Sequence, residues 1–145
     1  MIAAMLLMTV IAQAPMATCP MPPLPISLDQ ALARTLTTVR IGNASALLAQ
    51  MSRDGVAFGS QGGIVPYAAL ADQFAGKRGH YCDLFACGAG AGRLNALFNG
   101  GKTQKSIDLK HNRATVVLNG SSPKELDLGY AYTAQCQWEL TSIGA

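Results

Sequence analysis

Charged side chains are scarce in this 145-residue chain, in which Asp, Glu, Lys and Arg together make up 13% of the residues. The formal net charge is only +3, and the basic residues are scattered along the sequence. The chain therefore lacks the clustered basic surface that nucleic-acid binding requires, and we expect no nucleic-acid partner. Because half of the residues are hydrophobic, the low charge does not indicate disorder. Length and composition predict one compact domain with its own core.

The sequence also lacks any charged residue before Asp29 and any apolar run long enough to cross a bilayer as a helix. Residues 1–12 are apolar and end in small residues, which is typical of a signal peptide cut after Ala12. We predict a signal peptide at 1–12, a proline-rich arm at 13–26 and a single α+β domain at 27–145. The predicted destination is periplasmic or secreted, with no membrane span in the mature chain. There are two alternatives to this signal peptide. Residues 1–12 could form a buried amino-terminal helix, or the sequence before Cys19 could be a lipoprotein cleavage box at which Cys19 is acylated.

Four cysteines remain after the predicted cleavage: Cys19, Cys82, Cys87 and Cys136. An even number of cysteines in an exported chain favours disulfide bonds, and four cysteines allow three pairings. Cys82 and Cys87 are close enough in sequence for a disulfide between them to close a short loop. A bond from Cys19 to Cys136 would then join the arm to the strand that contains Cys136. The sequence does not choose among the pairings. A metal site is disfavoured, because there are no paired C-x-x-C hooks and neither histidine belongs to a matching cluster.

Helical periodicity dominates the first half of the predicted domain. The pattern at residues 27–30 is that of a capping box and predicts a first helix that starts at Ser27. Asn43 is suited to cap a second helix. A short hairpin is expected within 56–65, and a third helix is expected to run from Pro66 to a stop at Gly76.

The second half of the predicted domain is interpreted as sheet. Residues 80–86 before it fit either a strand or a helix. Strands are predicted at 107–109 and 114–118. Apolar and polar residues then alternate from Leu126 to Leu140, which predicts one strand, or two strands in phase, with one buried face.

The order of these elements, together with the patterns at residues 46–63, 67–74, 113–118 and 137–144, resembles the nuclear transport factor two-like superfamily. The resemblance extends over residues 28–144. It implies an α+β fold in which amino-terminal helices pack on a curved, mainly antiparallel sheet, cone-like, with an internal pocket. Members include isomerases, dehydratases and cyclases, as well as non-catalytic binding or dimerising modules, so the resemblance leaves a homodimer open.

Two groups of side chains are candidates for a site. In the first, Asp83 is a candidate general base and Tyr81 a candidate hydrogen-bond donor for proton abstraction beside a carbonyl. The alternative is that Tyr81 packs as a core or rim aromatic and Asp83 is solvated. In the second, Tyr130, Tyr132 and Trp138 share one face of the predicted sheet and can line a ligand cavity, or can simply form core.

The chain lacks the sequence motifs of several enzyme classes, namely G-x-S-x-G, H-E-x-x-H and a phosphate-binding loop. The glycines at 88–92 do not match the dinucleotide fingerprint, and no cofactor is expected. We therefore expect a non-enzymatic exported domain that binds a small apolar ligand or a protein partner. The alternatives are a pocket enzyme of the isomerase or dehydratase type, and a disulfide-stabilised structural envelope protein.

Overall fold

The computed structural model describes residues 19, 23, 25–59, 63–87, 94, 95, 98, 102–108, 111–119 and 125–144. The helices within these ranges are α1 (Pro25–Arg40), α2 (Ala44–Gln50), α3 (Tyr67–Ala75) and α4 (His80–Leu84). The strands are β1 (Val56–Phe58), β2 (Ile64–Val65), β3 (Lys102–Asp108), β4 (Arg113–Asn119), β5 (Glu125–Tyr132) and β6 (Trp138–Gly144). The predicted signal peptide and most of the predicted arm lie outside the described residues.

The strands form one open sheet in the order β2-β1-β6-β5-β4-β3. Every neighbouring pair is antiparallel except β1 and β6, which run parallel. The helices pack on one side of this sheet. The predicted α+β class, with helices on a mainly antiparallel sheet, is therefore confirmed. Among the residues that the structure describes, no helix is long and apolar enough to cross a membrane.

The core lies between the helices and one face of β4, β5 and β6. Alternate residues of these strands are buried, as the two-residue period of a strand requires. The buried strand residues are Ala114, Val116, Leu118, Leu126, Leu128, Tyr130, Trp138, Leu140 and Ile143. The helices bury apolar side chains against them, including Leu28, Leu32, Val39, Leu47, Leu70 and Phe74. Removal of this apolar surface from water is what holds the helices on the sheet.

The long alternating segment forms the β5–β6 hairpin, so the two-strand version of the prediction is confirmed. The chain turns at residues 133–137, and burial resumes in phase at Trp138 and Leu140. Beyond Leu140 the pairing shifts, because Tyr130 faces Leu140 whereas Gly129 faces Ser142. The extra residue, Thr141, makes a β-bulge, and Ile143 is buried in place of Ser142.

The first helix begins earlier than predicted. It starts at Pro25, two residues before Ser27, so the predicted start is wrong and the helix extends into the predicted arm. Ser27 lies in the first turn, where its hydroxyl accepts a hydrogen bond from the indole Nε1–H of Trp138 at 2.9 Å. The second helix begins as predicted, because Asn43 Oδ1 accepts a hydrogen bond from the backbone N–H of Ala46 at 3.1 Å.

All four cysteines are in disulfide bonds, Cys19–Cys136 and Cys82–Cys87. Of the three pairings that the sequence allowed, the structure selects this one. The first bond joins the chain before α1 to the β5–β6 turn, across a sequence separation of 117 residues. The second bond joins α4 to the residues that follow it, across a separation of 5 residues.

We expect any other residue at the position of Gly55 to destabilise the fold. Its φ is +104°, and a Cβ there would lie 2.5 Å from the carbonyl oxygen of Val65. Gly55→Ala is therefore expected to lower the free energy of unfolding by about 3 kcal/mol, because backbone strain and overlap with a strand act together. Urea unfolding measures the loss.

Gly42→Ala is the matched control for this prediction. The φ of Gly42 is also positive, at +72°, but a Cβ there meets nothing within 4 Å. Only the conformational cost remains, and we expect a loss of about 1 kcal/mol. Equal losses for the two variants would show that the contact with Val65 does not constrain Gly55.

Candidate functional site

A groove of about 460 Å³ lies on the side of the sheet opposite the helices, and we call it the sheet-face groove. It extends over the outer positions of β1, β6, β5 and the start of β4, and Ile64 of β2 also lines it. The bulge at Thr141 contributes to its wall, because the bulged strand bends and points two successive side chains, Thr141 and Ser142, into the groove.

Small side chains make the floor of the sheet-face groove. Ala57 of β1 pairs with Ser142 of β6, and Ser142 pairs with Gly129 of β5. One row across three strands therefore carries no side chain larger than serine. A Cβ at Gly129 would lie 2.1 Å from the hydroxyl oxygen of Ser142, so the serine side chain occupies the space above the glycine. The next row along β5 has Ala131 at its centre, which keeps the groove open.

Charges of opposite sign stand on the two sides of Ala131. Arg113 of β4 pairs with Ala131, and Ala131 pairs with Glu139 of β6, so the three residues lie in one row. Neighbouring strands are about 4.8 Å apart, which puts the backbones of Arg113 and Glu139 about 9.5 Å apart. Asp54, in the turn that leads into β1, also lines the groove. The sheet-face groove is thus acidic toward β6 and β1 and basic toward β4.

These three charged groups have no partner among the residues that the structure describes. Among the residues that the structure describes, the side chains of Arg113, Glu139 and Asp54 form no ion pair or hydrogen bond. Four other carboxylates pair with a basic side chain each, as Asp29–Lys105, Asp72–Arg78, Asp83–His80 and Asp108–His111. Glu139 is also half-buried. The unpaired charges of the groove are therefore available to a bound molecule.

The predicted catalytic cluster lies in and around α4. His80 Nδ1 is 3.1 Å from Asp83 Oδ2, and each of the two side chains is 29% exposed. The ring of His80 stacks on Phe58, with ring centroids 3.9 Å apart. The backbone N–H of His80 donates to Gln73 Oε1 at 2.9 Å, which joins the start of α4 to α3.

Residues 80–84 form a helix, so the strand interpretation of this segment is wrong. Tyr81 and Asp83 would share a face in a strand, but residues two apart in a helix do not face each other. Tyr81 packs instead against Phe74 and Phe85, at centroid distances of 5.8 and 5.0 Å. Neither Tyr81 nor Asp83 lines the sheet-face groove. Their assignment as donor and base stays a prediction.

The predicted aromatic site is divided between the core and the groove. Tyr130 is 2% exposed, and its hydroxyl donates to Thr35 Oγ1 at 2.9 Å. Burial raises the pKa of Tyr130 to about 12. Trp138 is also buried, whereas Tyr132, whose ring centroid is 5.1 Å from that of Trp138, reaches the sheet-face groove. A ligand contact by these three residues stays a prediction.

A second groove, of about 390 Å³, lies between α1 and α2, and we call it the helix groove. Its lining includes Ala33, Thr37, Ala46 and Gln50, and its surface is mainly apolar. Gln50 connects it to the core, because Gln50 Oε1 accepts a hydrogen bond from the hydroxyl of Thr35 at 3.1 Å.

Together, the described fold and grooves define an α+β domain with an open sheet, two disulfides and a groove on the outer sheet face that carries charged and hydroxyl-bearing side chains. Comparisons of the chain with protein-family models, curated proteins and solved structures found no match. Within the described ranges, no group of three or more His, Cys, Asp or Glu side chains is placed to hold a metal ion. The resemblance to the nuclear transport factor two-like superfamily stays an expectation.

Sequence reasoning did not identify Arg113, Glu139 or Asp54 as site residues. The available signal was on the polar face of the β5–β6 alternation, where Gly129 and Ala131 interrupt the larger side chains. Small residues at two successive outer positions indicate either a bulge or a close approach of another group. In this protein they leave the floor of a groove.

Proposed function

We propose that this protein is an exported, non-enzymatic binding domain and that its ligand site is the sheet-face groove. The observation that carries the proposal is the row Arg113–Ala131–Glu139. In this row two charges of opposite sign, which have no partner in the described part of the chain, flank a small floor residue. The groove volume, about 460 Å³, is within the usual range of ~300–1,000 Å³ for ligand sites. Because charged and hydroxyl-bearing side chains, among them Arg113, Glu139 and Ser142, line the groove, the ligand that we propose is polar, unlike the apolar ligand expected from the sequence.

The spacing of the charged groups favours binding over catalysis. General acid–base chemistry needs the acid or base within ~2.6–3.2 Å of the proton that it moves, and cooperating groups act on neighbouring atoms. Arg113 and Glu139 stand on strands that have β5 between them. Such an arrangement suits holding the two ends of one molecule.

Export is supported by the cysteine chemistry. Both disulfides are intramolecular, and all four cysteines take part in them. Disulfides persist in oxidising compartments and are rare where glutathione and thioredoxin keep thiols reduced. A periplasmic or secreted location, reached by means of the predicted signal peptide at 1–12, accounts for this cysteine usage.

Filling the groove tests the proposal. Ala131→Phe places a large ring on the groove floor, at an outward position where the core is not disturbed. In a thermal-shift screen of polar metabolites, we expect compounds that stabilise the wild-type protein and lose this effect in Ala131→Phe. A ligand present at 100 times its Kd adds about 2.7 kcal/mol of stability, which is readily measured as a rise in Tm.

Ala33→Phe is the matched control, because it puts the same ring into the helix groove. It is expected to leave the ligand-induced shift unchanged. The proposal is wrong if no compound gives a shift that depends on Ala131. It is also wrong if Ala33→Phe abolishes the shift and Ala131→Phe preserves it, since the ligand site would then be the helix groove.

A further inference from the structure

The sheet-face groove has the charge pattern of a receptor for a molecule with two oppositely charged ends. Its basic group, Arg113, is on β4, and its acidic groups, Glu139 and Asp54, are on β6 and at the entrance to β1. We propose that the groove binds a short peptide of about three residues with both termini free, lying across the strands. This inference rests on the proposed function and specifies the ligand class.

Charge complementarity sets the orientation of the peptide. A guanidinium group matches a carboxylate with two parallel hydrogen bonds, so Arg113 receives the carboxyl terminus. The terminal ammonium group then lies toward Glu139, with Asp54 on the same side. Neither side requires an existing contact to break, because these three groups are unpaired among the described residues.

The distance across the groove sets the length of the peptide. Arg113 and Glu139 are separated by two strand spacings, about 9.5 Å between backbones. An extended chain covers at most ~3.3–3.6 Å per residue, so three residues span about 10–11 Å. A tripeptide therefore matches the separation of the two strands that carry the charges.

The rest of the lining suits a peptide backbone more than a particular side chain. Thr133, Thr141 and Ser142 line the groove with hydroxyl groups. A hydroxyl group both donates and accepts hydrogen bonds, so it can serve peptide N–H and C=O groups alike. The small floor residues, Ala57 and Ala131, let a peptide backbone lie close to the sheet. We therefore expect weak dependence on the peptide sequence and strong dependence on its termini.

Calorimetric titration of the disulfide-bonded protein with trialanine tests this inference. Trialanine is compared with its N-acetyl form, its C-terminal amide and the doubly capped peptide, and with alanine peptides of one, two, four and six residues. We expect binding of trialanine, an optimum near three residues, and a 10- to 100-fold loss of affinity for each capped terminus, because each cap removes one hydrogen-bonded charge pair.

Two variants assign each terminus to its partner. Arg113→Gln is expected to weaken trialanine 10- to 100-fold while leaving the affinity of the C-terminal amide unchanged, because that peptide has already lost the same contact. Glu139→Gln is expected to weaken trialanine 10- to 100-fold while leaving the affinity of the N-acetyl peptide unchanged, because that peptide has already lost the contact with Glu139. Arg34→Gln and Glu125→Gln, which remove an arginine and a glutamate outside the groove, are the matched controls and should bind as the wild type does.

The capping series needs no variant, so it decides the question even if a substitution impairs folding. Equal affinity for free and doubly capped trialanine, or no binding of any alanine peptide, overturns the peptide inference. If ligands that depend on Ala131 are then found in the polar-metabolite screen, the proposed function stands and only the ligand class is wrong. If none is found, both are wrong.

Discussion

Replacing Cys19 and Cys136 with alanine is expected to lower the free energy of unfolding by about 5 kcal/mol, against about 2 kcal/mol for the Cys82 and Cys87 pair. The difference arises in the unfolded chain. The first disulfide joins residues 117 apart in sequence, and the second joins residues 5 apart. A cross-link that closes a longer loop removes more conformational entropy from the unfolded state, and this destabilises the unfolded state relative to the folded one.

Urea unfolding of the wild type and of the two double variants measures this ordering. The Cys82→Ala/Cys87→Ala protein is the matched control, because it also loses one disulfide and two sulfur atoms. Reduction of the wild type should reproduce the combined loss. If the short-loop variant is the less stable of the two, loop length in the unfolded chain does not determine the stabilisation. The Cys82–Cys87 bond would then act by stabilising α4 in the folded protein.

The expected loss bears on where this protein can function. Small domains are stable by only ~5–15 kcal/mol, so removal of about 5 kcal/mol leaves a substantial unfolded fraction in many of them. The Cys19–Cys136 bond also fixes the β5–β6 turn, and that turn contributes Thr133 to the sheet-face groove. A reducing compartment would therefore weaken both the fold and the proposed site, which agrees with the proposed export.

The β5–β6 hairpin could be predicted from the sequence because its burial is one-sided, whereas β3 begins at Lys102, five residues before the predicted strand. Leu126, Leu128 and Tyr130 alternate with polar residues because one face of β5 lies against the helices. The residue at which the alternation of buried and exposed side chains ends in β6 was not predictable from the sequence. The bulge at Thr141 shifts burial from Ser142 to Ile143, and a threonine–serine pair carries no signal that distinguishes a bulge from regular strand.

The short segment at residues 80–86 shows where local patterns are ambiguous. A short stretch with a few apolar residues fits a strand and a helix equally well by periodicity. The helix is selected by contacts that sequence spacing does not reveal. Gln73 Oε1 accepts the hydrogen bond of the His80 N–H, His80 stacks on Phe58, and the disulfide fixes Cys82 to Cys87.

The candidate site was beyond sequence reasoning for a related reason. Arg113, Ala131 and Glu139 belong to three strands, and only the register of those strands puts them in one row. A shift by one residue in either pairing would move a charge to the helix side of the sheet. The aromatic residues were identified from the sequence, but their role was not. Tyr130 fits a cavity wall and a filled core equally well until the helix that covers it is known.

Tyr130 is the side chain whose loss we expect to cost most among those that join the helices to the sheet. It is among the largest fully buried residues, and its hydroxyl donates to Thr35 of α1. Tyr130→Ala removes a whole aromatic ring from the core, and we expect a loss of about 4 kcal/mol in urea unfolding. Tyr130→Phe keeps the ring and removes only one hydrogen bond, so we expect a loss of about 1 kcal/mol.

The same residue predicts a specific loss of stability at alkaline pH. Burial raises the pKa of Tyr130 to about 12 in the folded protein, whereas a tyrosine in an unfolded chain ionises near pH ~10. Below pH ~10 both states keep the proton, and the folded state has its full stability. Between pH ~10 and ~12 the unfolded state has lost the proton that the folded state retains, so stability falls by about 1.4 kcal/mol per pH unit.

Tyr130→Phe separates this effect from every other group that titrates in the same range. The variant keeps Tyr67, Tyr81, Tyr132 and the lysines, so their contributions cancel when the two proteins are compared. We expect the wild type to be the more stable protein at pH 8 and to lose about 2 kcal/mol relative to the variant by pH 12, so that the order of stability reverses. Parallel curves would mean that the Tyr130 phenol ionises in the folded protein as readily as in the unfolded one. In that case α1 would not shield the Tyr130 side chain from water in solution.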